Sequence, residues 1–173
     1  KNSQLTNIAG NAFYSCDILQ NFTLPDGLTN IGVDAFAYCE SITTLNIPKT
    51  VLSIGEGAFR SCGELTSVNF LGDDKIIYIE RETFSFCGKL TTVNIPKSVV
   101  EIRYKAFSSC GFTEISIPEN VELVAGFSYC SNLTTANFLG NNLKTLTREA
   151  FPYCSNFEII NYNINFRFEI YLS

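Results

Sequence analysis

Seven cysteines and no histidine set the chemistry that this chain of 173 residues can carry. The cysteines are Cys16, Cys39, Cys62, Cys87, Cys110, Cys130 and Cys154, at spacings of 23, 23, 25, 23, 20 and 24 residues. A cysteine acts as nucleophile, metal ligand or disulfide partner, and each role needs a companion: a base, convergent ligands, or a second sulfur. Without histidine there is no imidazole base, and the commonest nitrogen ligand for a metal is missing as well. No C-x-x-C pair occurs, and apart from the adjacent Asp73-Asp74 the Asp and Glu fall singly, so no metal set or acid–base couple is legible. The chain is therefore expected to be non-enzymatic, with no catalytic residue, no metal site and no cofactor. Asp73-Asp74-Lys75 forms one small acidic corner, and two adjacent carboxylates of this kind usually make a solvated loop.

What positions the cysteines is a repeat. Each has a phenylalanine three residues before it, at Phe13, Phe36, Phe59, Phe84, Phe107, Phe127 and Phe151. After the Cys comes a short alternating segment such as Leu45-Asn46-Ile47, Val68-Asn69-Phe70 or Val93-Asn94-Ile95, and period-two alternation predicts a strand with one buried and one wet face. Pro25, Pro48, Pro96 and Pro118 end that strand in their repeats, since proline cannot donate to a ladder. A second extended piece follows, as in Val51-Leu52-Ser53-Ile54 or Val99-Val100-Glu101-Ile102, and an A-F-x-x-C turn then carries the chain back. Stacked parallel turns hold equivalent Cβ atoms about 4.8 Å apart, beyond the ~3.8 Å that a disulfide wants. The cysteines are accordingly expected to be a buried ladder of free thiols acting as small hydrophobes. The phenylalanine column, with Ile31, Ile54, Ile79 and Ile102, is expected to be core.

A period of 20 to 29 residues with an L-x-x-L-x-L strand is the signature of a leucine-rich repeat. The expected fold is a leucine-rich-repeat solenoid, mostly β: a right-handed parallel-sheet coil of about seven 23-residue turns with little helix. Ile31-Gly32, Ala35-Phe36, Cys39, Ile42 and Ile47-Pro48 in one turn, and Ile54-Gly55, Ala58-Phe59, Cys62 and Leu65 in the next, fit the pattern I-G-x-x-A-F-x-x-C-x-x-L-x-x-x-x-I-P. In these residues the chain resembles the BspA-like (Treponema pallidum-type) leucine-rich repeats from Leu5 to about Tyr162. The resemblance implies a surface or secreted protein that takes part in adhesion to host matrix, coaggregation or immune recognition. One solenoid domain spans 1–173, with repeats at about 5–27, 28–50, 51–75, 76–98, 99–120, 121–142 and 143–162, and a C-terminal strand or cap at 163–173. Two turns depart from the template: the third gains residues around Gly72-Asp73-Asp74-Lys75, and the sixth is three short and carries Gly126 where Ala is usual. Irregular corners of this kind are where bends or specific contacts are placed.

Net charge is −5, with 12 Lys and Arg scattered among 17 Asp and Glu, so no basic stripe exists to track nucleic acid. No apolar run approaches the roughly 20 residues that cross a bilayer. The opening Lys-Asn-Ser-Gln-Leu-Thr-Asn-Ile is repeat-like and carries no signal-peptide core, which points to a piece of a longer protein. Binding residues are sought on the wet side of the strands, the concave face of such a coil. One row holds Thr23, Asn46, Asn69, Asn94, Ser116 and Asn137, with Asn161 beyond; its neighbour holds Asn21, Thr44, Ser67, Thr92, Glu114 and Thr135. Either these amides and hydroxyls ladder along the stack and only solvate it, or they recognise a protein or glycoprotein partner, host matrix among the candidates. Asn21-Phe22-Thr23 and Asn132-Leu133-Thr134 match glycosylation sequons, a pattern common by chance. Past the repeats, Ile164, Phe166, Phe168, Ile170 and Leu172 alternate with polar residues, which either caps the open core or pairs with a second copy. The rival to a binding role is a structural spacer without a ligand of its own.

Overall fold

In the computed structural model, which describes residues 5–20 and 22–161, each turn after the first contributes two short strands and one hydrogen-bonded corner, and the first contributes one described strand and a corner. The longer strands are β3 (Thr44–Ile47), β5 (Ser67–Phe70), β7 (Thr92–Asn94), β9 (Glu114–Ile117), β11 (Thr135–Phe138) and β13 (Ile159–Asn161). The shorter ones are β1 (Asn7–Ile8), β2 (Asn30–Ile31), β4 (Ser53–Ile54), β6 (Tyr78–Ile79), β8 (Glu101–Ile102), β10 (Leu123–Val124) and β12 (Thr145–Leu146). All pairings among them are parallel and join equivalent residues of successive turns, for example Leu45 to Val68 to Val93 and Ile31 to Ile54. The fold is thus a parallel β-solenoid of about seven turns, and among the described residues there is no helix.

Alternation does what the sequence requires: in β3 and β9 every second residue is buried and its neighbours are exposed. Proline follows directly after Ile47 and Ile117. Where leucine stands instead, its N–H adds one more rung, from Leu71 to the Ile47 carbonyl at 2.9 Å and from Leu139 to that of Ile117 at 3.0 Å. Each column of strands is interrupted once, giving sheets β1-β2-β4, β6-β8-β10-β12, β3-β5-β7 and β9-β11-β13. The break between β4 and β6 follows the lengthened third turn, around Gly72 to Lys75.

The A-F-x-x-C corner is a third ladder as well as a turn. Phe36, Phe84 and Phe107 donate their N–H groups to Ala58, Ala106 and Gly126 of the next turn, each at 2.8 Å. To aim alternate amides along the stack, two residues adopt left-handed φ in each of the first five corners, among them Asp34 and Tyr38, Glu82 and Phe86, Lys105 and Ser109, and one does so in each of the last two, Tyr129 and Tyr153. That conformation costs about 1–2 kcal/mol per non-glycine residue, and the inter-turn bonds offset it. The rings behind these bonds stack in one column, with Phe36, Phe59, Phe84, Phe107 and Phe127 at centroid separations of 5.2 to 5.7 Å. Those five rings are buried; Phe13 at one end is 37% exposed and Phe151 at the other is half-buried. The core runs unbroken from Ile8 to Ala150.

Gly32 and Gly55, the glycines of the I-G pair, sit where successive turns touch. A Cβ on Gly55 would lie 2.6 Å from the Val33 nitrogen, and one on Gly32 would lie 2.4 Å from that of Gly10. Backbone faces backbone there, and no side chain fits.

Candidate binding surface

The cysteines hold no partner sulfur. All seven thiols are free, and five are buried, while Cys16 and Cys154 at the two ends are half-buried. Their role exceeds that of a small hydrophobe, because each thiol from Cys39 onward donates to the phenylalanine carbonyl of the preceding turn. Cys39 reaches Phe13 at 3.0 Å, Cys87 reaches Phe59 at 3.2 Å, and Cys154 reaches Phe127 at 2.9 Å. Burial pushes the Cys39 thiol up to about 11 and raises that of Cys110 as well, which keeps the donor proton in place. The five buried thiols are structural parts of the stack, while half-buried Cys154 is held below the ordinary thiol value, chiefly by its hydrogen bond with Cys130.

The acids do not stand singly, contrary to the sequence reading, because stacking brings residues 22 to 26 positions apart into contact. Arg60 binds Asp34 at 3.1 Å on one side and Glu82 at 3.4 Å on the other, so three successive turns share one guanidinium. Arg81 pairs with Glu56 at 3.2 Å, and Arg103 pairs with Glu80 at 2.7 Å and Glu101 at 2.8 Å. Burial works against the Arg103 charge, but Glu101 and Glu80 outweigh it and hold its pKa up. Its guanidinium also lies 3.9 Å from the centroid of the Tyr78 ring. Every one of these carboxylates is committed to an arginine, which suits a brace along the corner rather than proton transfer. Asp74 likewise pairs with Lys75, at 3.6 Å.

On the wet side of the longer strands the two expected rows align in register. Asn46, Asn69 and Asn94 face one another in β3, β5 and β7, with Thr44, Ser67 and Thr92 beside them. Ser116, Asn137 and Asn161 form the second part, with Glu114 and Thr135 beside, and Ile159 continues that neighbouring row. Thr23 is exposed but lies outside any strand, and Asn21, the first residue of its sequon, falls outside the described residues. The expected strand or cap at 163–173 also lies outside them.

The amides ladder in part. Asn69 Nδ2 donates to Asn46 Oδ1 at 3.0 Å, and Asn161 donates to Asn137, which donates to Glu114 at 2.7 Å. Asn94 departs from the row. Its Oδ1 accepts the Phe70 N–H at 2.7 Å and its Nδ2 donates to the Phe70 carbonyl at 2.9 Å, so the side chain substitutes for the next backbone rung and closes the edge of β5. The sheet stops at β7 and resumes at β9, and a cleft of about 510 Å³ opens at the break. Asn94 and Ser116 line it from the two sheets, and Asp73, Lys97 and Glu119 supply charge from the adjoining loops. The sequence singled out the Asp73 loop by its extra length but gave no sign that it borders the Asn row.

A continuous parallel stack, with leucine-type positions buried in register and a polar strand face, defines a leucine-rich-repeat solenoid. The repeats match the BspA type leucine rich repeat region over residues 2–78 and 71–169, with six copies, and the chain belongs to that family. Leucine-rich repeats of this kind are generally protein-binding or structural, and generally not enzymes. A leucine-rich repeat protein from Bacteroides ovatus is similar in structure, with 23% identity, a TM-score of 0.61, and 90% of this chain and 52% of that chain covered. A leucine rich repeat protein from T. pallidum is similar too, with 22% identity and a TM-score of 0.64 over 90% of this chain and 70% of that one. This chain therefore spans about half the length of the first of these relatives. Among curated proteins no match is found.

Proposed function

We propose that the chain is a non-catalytic binding module that presents the polar face of its longer strands to a protein or glycoprotein partner. The observation that carries this reading is the interrupted ladder. Over most of the face amides satisfy one another, but at the break between β7 and β9 a cleft brings Ser116 together with Asp73, Lys97 and Glu119. Polar groups converging in a concavity are what a recognition surface needs. The residues proposed to line the contact are Thr23, Thr44, Asn46, Ser67, Asn69, Thr92, Glu114, Ser116, Thr135 and Asn137, with Asn94 as the residue that shapes the cleft. Display at a cell surface or secretion, with host matrix among the partners, rests on the family resemblance.

A spacer role is favoured by one observation, the commitment of Asn46, Asn69 and Asn137 to neighbouring turns. The two readings separate in a binding assay. The chain and a variant carrying Asn46→Lys, Ser116→Lys and Asn137→Lys are passed over immobilised matrix proteins and mucosal glycoproteins. The binding reading expects retention of the parent and loss of the folded variant; no retention of the parent on any surface leaves the spacer.

A further inference from the structure

The turn that carries Cys130 is cut short, 20 residues after Cys110 where the other spacings are 23 to 25. Much of the loss falls at one place. Ile102, Val124 and Leu146 pair in register, and Phe107, Phe127 and Phe151 stack at 5.3 and 5.6 Å. Between these fixed points the flanking turns spend four residues, 103–106 and 147–150, while the middle turn has only Ala125 and Gly126. The chain takes the inside of the bend, so close that a Cβ on Gly126 would stand 2.6 Å from Ile102 Cγ2. One outer corner of the stack is therefore missing, and a notch of about 430 Å³ occupies its place.

Tyr104 and Lys105 line the notch from the turn before, Arg148 and Glu149 from the turn after, and Tyr129 and Tyr153 from the residue positions that precede Cys130 and Cys154. The Tyr129 and Tyr153 rings stack at 4.6 Å with an angle of 16° between them. Tyr153 remains 72% exposed, so the pair offers a flat open aromatic surface. Among the described residues Lys105 makes no ion pair, and its ammonium rests over the Tyr104 ring at 5.1 Å. Arg148 spends its Nε on Glu149 at 2.8 Å, which leaves the terminal nitrogens of a side chain that is 77% exposed.

We propose that this notch binds a carboxylate-bearing pyranose, the uronic or sialic acid residue of an acidic glycan. Its volume falls in the range of small-ligand sites, about 300–1,000 Å³. The stacked Tyr129–Tyr153 pair offers aromatic surface to the apolar C–H side of a sugar ring, and the three phenols exchange hydrogen bonds with its hydroxyls. Two cations stand against one carboxylate that is already paired, and a guanidinium with free terminal nitrogens suits a carboxylate in bidentate fashion. An extended peptide is disfavoured, because the flanking corners close the notch after a single turn and leave no groove to run along. The site lies on the corner ladder and is separate from the strand face.

Saturation-transfer NMR on the whole chain with sialyllactose, a glucuronic acid disaccharide and lactose tests the assignment. Transfer to one or both acidic sugars and little to lactose is expected. Arg148→Ala and Tyr153→Ala, both at exposed positions and checked by thermal melting, should each weaken binding of the acidic sugar about tenfold or more. The strand-face variant with Asn46→Lys, Ser116→Lys and Asn137→Lys should bind it unchanged, which separates this site from the proposed protein-binding face. No transfer to either acidic sugar, equal transfer to lactose, survival of binding in both notch variants, or binding of proline-rich peptides in place of sugars overturns the proposal.

Discussion

The Cys87 thiol donates to the main-chain carbonyl of Phe59, one turn away, at 3.2 Å. In the adjacent turn the Phe36 carbonyl already accepts the N–H of Cys39 and takes the Cys62 thiol as a second donor at 3.4 Å. The sulfur thus fills its layer and ties that layer to the one before. Cys87→Ala removes a buried donor and leaves a small void, and it should cost about 1–3 kcal/mol in urea unfolding. The same change at half-buried Cys16 should cost clearly less.

Alkali should loosen the stack before it ionises the buried native thiols. The Cys39 value is raised by burial from 9.0 to about 11, so its contribution to stability is complete below pH 9 and lost as pH rises toward 11. Unfolding midpoints measured from pH 7 to 11 should be level at first and then fall. A midpoint that rises over that upper range would contradict the burial of these groups.

Gly55→Ala should be among the most destabilising single-methyl additions in the chain. The new Cβ meets the Val33 nitrogen at 2.6 Å, and a backbone atom cannot move aside without shifting a turn. Gly63→Ala, where nothing lies within 4 Å, should change stability by less than about 0.5 kcal/mol. Comparing the two melting curves tests whether the I-G pair is set by inter-turn contact.

Asn94 and Asn46 occupy equivalent positions with unequal consequences. Asn94→Ala strips both partners from the Phe70 main chain and should cost about 1–3 kcal/mol, whereas Asn46→Ala on the exposed face should cost about 0.5 kcal/mol or less. Equal costs would mean that the amide of Asn94 does not close the edge of β5.

Seven Phe and Cys positions in fixed register made the stack, its buried columns and its two strands per turn legible in the sequence. Strong periodicity leaves few alternatives, since any slip would expose Leu45 or Phe59. The relations between turns were harder to see. A sequence shows Asp34, Arg60 and Glu82 as three scattered charges, and only the 23-residue stacking distance brings them together. Asn94 looked like one more member of a polar row because the alternation fixes the side of the strand and says nothing of where the amide turns. Likewise the short sixth turn was visible as a missing count, but that the gap opens between Tyr104 and Arg148 follows from the register of Ile102, Val124 and Leu146.

Site-specific photocrosslinking tests most directly whether the strand face is the working surface. A photoreactive phenylalanine replaces Asn69 or Ser116 on that face, or Lys144 beside β12, in the presence of a retained matrix or mucosal partner. The account predicts adducts from positions 69 and 116 and none from 144. Adducts from Lys144 alone would place the partner on the other side of the coil and contradict it.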